Sequence, residues 1–308
     1  MSDLILHHYD GSPFAEKVRL MLGFKRLPWC SVKIPVIMPK PDVVALTGGY
    51  RKTPILQIGA DVYCDTALIA RLLEQLAPSP TLFPTSAPLA SLLAQWADST
   101  LFWTAIPYTM QPAGAAHVFQ GVPPEVLKAF AADRAPFTAG MKRLSLADAT
   151  IHIKAYLGWL DAQLARGGPY LLGTEPSIAD FAVAHCGWYV RRGGPVAEVF
   201  EPFAAFAAWL DRMLAIGHGS SQPMTSAEAL AVAAKAASHA LVEVQPGHGF
   251  EAGQAVTITA TDYGTDPVAG TVVGLSADET VIARDDERAG RVHVHFPRRG
   301  FQIKQEQA

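Results

Sequence analysis

Three short stretches of this 308-residue chain carry residue types and spacings that could do chemistry. Ser12 lies between a short apolar run and a helical pattern and is followed by Pro13, so its hydroxyl caps a helix at a strand-to-helix turn. Asp65-Thr66 stands immediately before the apolar helical run 67–76. The first amides of such a helix, with the Thr66 hydroxyl beside them, form a seat for a small anion. Thr53-Pro54 opens a strand, a position at which proline is tolerated because the ladder has not yet begun. Tyr9 places a phenol next to the first turn, and Lys40 and Lys52 place cations in loops. His293 and His295 alternate on one strand face and could act as a metal pair, but no third ligand is evident nearby and no metal is expected. Ser177 to Asp180 has the S-x-x-D form of a capping box and reads as structural. Asp285-Asp286-Glu287 and Arg298-Arg299 read as solvated turns.

The elements that must position these residues fall into three pieces. Residues 1–83 mix short β runs with helices: Leu4-Ile5-Leu6, then a helix from Pro13 to Leu22, a strand pair over 53–64, and the helix after Asp65. This is an α/β layer pattern. A Pro-rich linker over 78–88 leads into residues 88–238, where helical signals dominate: 91–105, 151–164, 178–191, 203–214 and 226–237. From 240 to 308 the pattern turns to short alternating β runs with turn residues between them, which predicts a small all-β barrel-like domain. The expected fold is therefore α+β and multi-domain.

Composition narrows the function. The formal net charge is −3, with the excess acid in the last piece, so a nucleic-acid partner is not expected. No uninterrupted apolar stretch suits a membrane span, and the first residues lack a signal-peptide pattern. Cys30, Cys64 and Cys186 form neither a disulfide framework nor a CxxC motif, which suits a reducing, cytoplasmic setting.

Gly11-Ser12-Pro13-Phe14 with Lys17-Val18-Arg19, then Lys52-Thr53-Pro54-Ile55-Leu56, then Asp65-Thr66, then Gly173 to Asp180, resemble in order and spacing the glutathione transferase superfamily. The resemblance covers about the first 215 residues and leaves out the β-rich tail. It implies a thioredoxin-like domain followed by an all-helical bundle, a homodimer, glutathione as co-substrate and a hydrophobic, electrophilic second substrate. On that resemblance Ser12 donates to the glutathione sulfur, and Tyr9 is the competing donor. Phe14 belongs to the same motif, and Thr53 ahead of a cis Pro54 offers its backbone to the cysteinyl part. Asp65 and Thr66 hold the γ-glutamyl end, and Lys40 and Lys52 face the glycyl carboxylate. Lowering a thiol pKa of about 8.5 by two units takes roughly 2.7 kcal/mol. A charge-assisted hydrogen bond and a helix terminus can together supply that. The second substrate would sit against the aromatic stretch Trp96, Phe102, Trp103, Tyr108 and Phe119; aromatic residues at such spacings are more often core than pocket, and any that line the cleft imply an apolar, electrophilic co-substrate. Two other readings stay open: a non-catalytic binding or interaction protein on the same fold, and a glutathione-dependent reductase or peroxidase. The last is disfavoured, because a serine at position 12 cannot form a mixed disulfide.

Overall fold

The computed structural model describes residues 3–306. In chain order it contains β1 (Ile5–His8), α1 (Pro13–Lys25), β2 (Trp29–Lys33), α2 (Pro41–Thr47), β3 (Ile55–Ile58), β4 (Asp61–Cys64) and α3 (Thr66–Leu76). The helical part follows: α4 (Ala90–Trp96), a π turn over Ala97–Leu101, α5 (Phe102–Thr109), α6 (Pro112–Val118), α7 (Pro124–Phe137), α8 (Leu146–Gly167), α9 (Ile178–Arg191), a 3₁₀ turn over Gly194–Phe200, and α10 (Ala204–Leu214). The chain ends with β5 (Ser221–Met224), α11 (Ser226–Lys235), β6 (Ala255–Ala260), β7 (Val268–Leu275), β8 (Glu279–Asp286), β9 (Gly290–Pro297) and β10 (Phe301–Gln305). The three expected parts, thioredoxin-like, helical and β-rich, are all present.

β1 runs parallel to β2 and antiparallel to β3, which pairs antiparallel with β4. Strand periodicity divides these residues between two cores. Leu6, Leu56 and Tyr63 face α1, α3 and the helical bundle, while Ile5, Ile55, Val62 and Cys64 face the other way.

Both edges of this small sheet are then extended. β5 adds parallel to β2, and β9 adds parallel to β4 with Asp61 opposite His293, giving one ten-stranded sheet in the order β10-β6-β7-β8-β9-β4-β3-β1-β2-β5. Pairing both edges removes the open N–H and C=O rows that invite aggregation. The tail's apolar side chains, Val256, Val272, Ile282, Val294 and Phe296 among them, join Ile5, Val32 and Leu46 in one core with Ala229 and Leu230 of α11. The segment 221–235, expected with the helical bundle, thus packs on the thioredoxin-like sheet instead: its helix is as expected, but its apolar stripe serves a different core.

Two buried histidines at the end of β1 make acid the weak condition of this fold. His7 bonds Gln57 Oε1 through Nε2 at 2.8 Å, and burial lowers its pKa to about 4. His8 bonds Ser31 Oγ at 2.9 Å, and burial, with Arg19 next, lowers it to about 3. Each stays neutral when folded but protonates near 6.5 when unfolded, so the unfolded state binds more protons and stability falls as pH drops below 6.5. Between pH 7 and 5 each should withdraw about 2 kcal/mol. His185 acts in the same direction and His295, whose pKa is raised, in the opposite one. Urea unfolding at the two pH values should register a net loss, and equal stabilities would contradict this account.

Candidate functional site

The turn between β1 and α1 places Ser12 as the helix cap. Its Oγ accepts from Ala15 N–H at 3.2 Å and donates to the Thr53 carbonyl at 3.4 Å. Thr53-Pro54 is cis, as the motif implied. At the start of α3, Asp65 adopts φ 75° and accepts from Ala67 N–H at 2.8 Å. That left-handed backbone is uncommon outside glycine, and the short Asp side chain compensates by satisfying the local amide. Burial pushes the Asp65 carboxyl up.

A cavity of about 1020 Å³ opens at Ser12 between the thioredoxin-like and helical parts. Of the expected site residues, Ser12, Phe14, Lys40, Lys52 and Thr53 line it together with Tyr9, whereas Pro54, Asp65 and Thr66 do not form its wall. The lining carries eight Lys and Arg side chains and one acid, Asp10, so its field favours an anionic occupant despite the negative net charge of the chain. Lys40 is buried, 3.4 Å from Thr53 Oγ1, and burial, then Arg134 and Arg51, lower its pKa to about 8. Burial also holds the Tyr9 phenol above its usual range, so it is a proton donor at neutral pH. The opposite wall is aromatic: Phe102, Trp103 and Phe119 contribute, with Phe14 tilted against Phe102 at 4.6 Å. Trp96 and Tyr108 do not, because Trp96 packs edge-on against Tyr156 and the Tyr108 hydroxyl donates to the Val196 carbonyl inside the bundle.

Several contributors were not readable from local pattern. The Asp262-Tyr263-Gly264 turn between β6 and β7 reaches over the site: Asp262 pairs with Lys52 at 2.5 Å, and Tyr263 lies under the Lys52 ammonium and edge-on to Trp103 and Phe137. Gly264 has φ 58°, and a Cβ there would sit 2.4 Å from the Phe137 ring, so glycine alone allows this approach. α7 brings Arg134 to the lining and Asp133 to Arg51 at 2.6 Å. Behind the start of α3, Lys17 is fully buried and donates to Thr66 Oγ1 at 3.2 Å and to Asp98 in the π turn at 2.5 Å, while His185 bonds the other Asp98 oxygen at 3.0 Å. A sequence of residue types alone does not place a cation under Thr66, because Lys17 on α1 finds its two partners on α3 and in the distant π turn.

Residues 6–81 match the N-terminal domain of glutathione S-transferases, and residues 124–212 match the C-terminal domain. A solved GST-like protein from Pseudomonas syringae is 42% identical and superposes over 99% of this chain and 100% of its own, with a TM-score of 0.81. The chain belongs to the glutathione S-transferase family. FtsZ-localized protein A from Caulobacter vibrioides is 24% identical over 185 residues, 58% of this chain and 73% of that protein. A glutathione S-transferase from Rhodospirillum rubrum is 19% identical with a TM-score of 0.53, covers 68% of this chain and 87% of its own, and is alike in fold. The β-rich tail of this family member therefore falls within the Pseudomonas syringae match. No helix among the described residues is long and apolar enough to cross a membrane.

Proposed function

We propose that the protein is a glutathione-dependent transferase that conjugates the tripeptide to a hydrophobic electrophile. The observation that carries this reading is the Ser12–Thr53 pair standing at the mouth of a basic cavity whose far wall is aromatic. A net-anionic tripeptide suits the cations, and an apolar electrophile suits Phe102, Trp103 and Phe119. Ser12 would turn its hydroxyl from the Thr53 carbonyl to the sulfur, favouring thiolate, because a hydrogen bond to the charged form lowers a pKa. The thiol proton leaves to solvent, the sulfur bonds to the electrophilic carbon, and the leaving group departs with its electron pair. Thr53, Asp65 and Thr66 hold the peptide, and Lys40 meets its glycyl carboxylate. A homodimer and a cytoplasmic setting belong to the same reading.

Isothermal titration with glutathione and turnover of a generic aryl halide test it. Ser12→Ala should lower kcat/KM by about 100-fold, the two pKa units of thiolate stabilisation, with the glutathione Kd changed less than about threefold. Ser12→Thr, which keeps both cap and hydroxyl, should restore most of the rate. Absence of binding at millimolar glutathione would overturn the reading, and full turnover in Ser12→Ala would move the donor role to Tyr9.

A second reading, a non-catalytic interaction protein, has its own observation. Asp262 occupies Lys52, and Asp65 and Thr66 stand off the cavity wall, so part of the expected peptide seat is taken by the chain's own tail. A relative named for its localisation with FtsZ points the same way. Glutathione binding with no turnover over a panel of electrophiles would favour it. Thiol-based reduction is the weakest option, because burial raises the pKa of Cys30, Cys64 and Cys186 alike and leaves little thiolate.

A further inference from the structure

A second cavity of about 790 Å³ lies where the tail joins the thioredoxin-like part, and it shares no lining residue with the Ser12 cavity. Asp61 at the start of β4 and His239 in the connector between α11 and β6 stand on its wall, and His293 on β9, opposite Asp61, lies just behind them. His239 Nδ1 lies 3.7 Å and His293 Nδ1 3.9 Å from the same Asp61 Oδ1, and all three atoms fall within 4.8 Å of one another. Those separations are too long for hydrogen bonds. Both Nδ1 atoms are nevertheless buried and have no partner. Buried polar atoms are rarely left unpaired, and two of them facing one carboxylate oxygen ask for something between them.

We propose that Asp61, His239 and His293 form a binding site for a divalent transition-metal ion of the zinc or cobalt(II) type, with its fourth position open to the cavity. Two imidazole nitrogens and one carboxylate oxygen are a donor set for such ions rather than for magnesium or calcium. Bonds of about 2.0–2.2 Å in a tetrahedron put donors roughly 3.3–3.5 Å apart, so each imidazole nitrogen moves a few tenths of an ångström toward Asp61 as the rings reorient around the ion. The two imidazoles are stacked, with centroids 3.7 Å apart and planes 15° from parallel, so their in-plane lone pairs run side by side, and taking up one ion requires His239, on its irregular connector, to swing out of the stack. The supporting shell is already built. Asp61 Oδ2 accepts from Ala240 N–H at 2.9 Å, Oδ1 accepts from His295 Nε2 at 3.0 Å, and His295 Nδ1 bonds Glu279 at 2.5 Å. Such outer partners fix the orientation of a ligating carboxylate. His293 and His295, a candidate pair from spacing alone, thus take different parts: the first ligates and the second holds the ligand. The ion would pin three segments distant in sequence and fasten the tail to β4.

The test is titration of the full-length, chelator-stripped protein with cobalt(II), followed by zinc competition. The expected result is one cobalt per chain, the strong visible band of a four-coordinate ion, and its loss on adding zinc. His239→Ala, which lies in an irregular connector and spares the sheet, and His293→Gln should each weaken cobalt binding by at least about 100-fold. No binding below millimolar cobalt, a weak six-coordinate spectrum, or wild-type affinity in His239→Ala would overturn the proposal. None of these outcomes depends on glutathione, so the site stands or falls apart from the transferase reading.

Discussion

Asp180→Ala should be among the most damaging single substitutions in this chain, lowering stability by at least about 4 kcal/mol. Asp180 is fully buried, and each of its oxygens is doubly occupied. Oδ1 accepts from Leu171 N–H at 2.9 Å and from the Trp209 indole at 3.0 Å; Oδ2 accepts from Ser177 N–H at 2.9 Å and from the Ser177 hydroxyl at 3.0 Å. Burial pushes its pKa up against these donors, but the donors are what remain after truncation. Three fixed N–H groups would then be stranded in a core of Phe181, Phe206 and Trp209 side chains, each costing about 1–3 kcal/mol if water cannot reach it. Asp180→Asn keeps the shape yet turns an NH₂ group toward one of the two donor pairs, so it should lose nearly as much. Ser177→Ala removes a single capping hydroxyl and should cost only about 1 kcal/mol. Chemical denaturation of the three variants checks the ranking, and an Asp180→Ala protein within 1 kcal/mol of the parent would refute it.

That network shows what local sequence can carry. The box Ser177 to Asp180 and the apolar spacing after it predict a helix over 178–191, and α9 has those bounds. Ser12, Thr53 and Asp65 were legible for the same reason, since caps and turn residues act within a few positions of themselves. α7 was not, because none of its residues in the helix is fully buried and it carries no apolar stripe; side chains such as Asp133 on Arg51 hold it. β5 was hidden by Pro223, which is tolerated because this is the outermost strand. Strand alternation in the tail predicted β6 to β9 but says nothing about which edge they join. Pairing of β9 with β4, and with it the meeting of His293 and Asp61, follows from the whole sheet. Tyr263 reaches the Ser12 cavity only as a consequence of that docking.

Lys17→Met should give the second large effect, and it links the fold to the proposed site. The Lys17 ammonium has no exposed surface to retreat to, and its loss would leave Asp98 with His185 alone. Desolvation works to raise the Asp98 pKa, but Lys17 first and then His185 outweigh it, so the carboxylate is held below its ordinary value. Removing one member of a fully buried ion pair costs about 3–5 kcal/mol, because the other charge stays behind; the Asp98 side chain is 21% exposed, which places Lys17→Met at or below the lower end of that range. Asp98→Asn alone should be comparably harmful, since it strands the lysine. The double variant should recover a substantial part of the loss, as the non-additivity of a coupled pair requires. Under the proposed function a separate readout follows: Lys17 touches Thr66 Oγ1 at the head of α3, so its charge reinforces the anion seat there. The double variant, restored in stability but lacking that cation, should then bind glutathione about tenfold more weakly than the parent. Recovered stability with parental affinity would keep the ion pair as a structural device and detach it from the peptide seat; additive losses in the two single variants would deny the coupling itself.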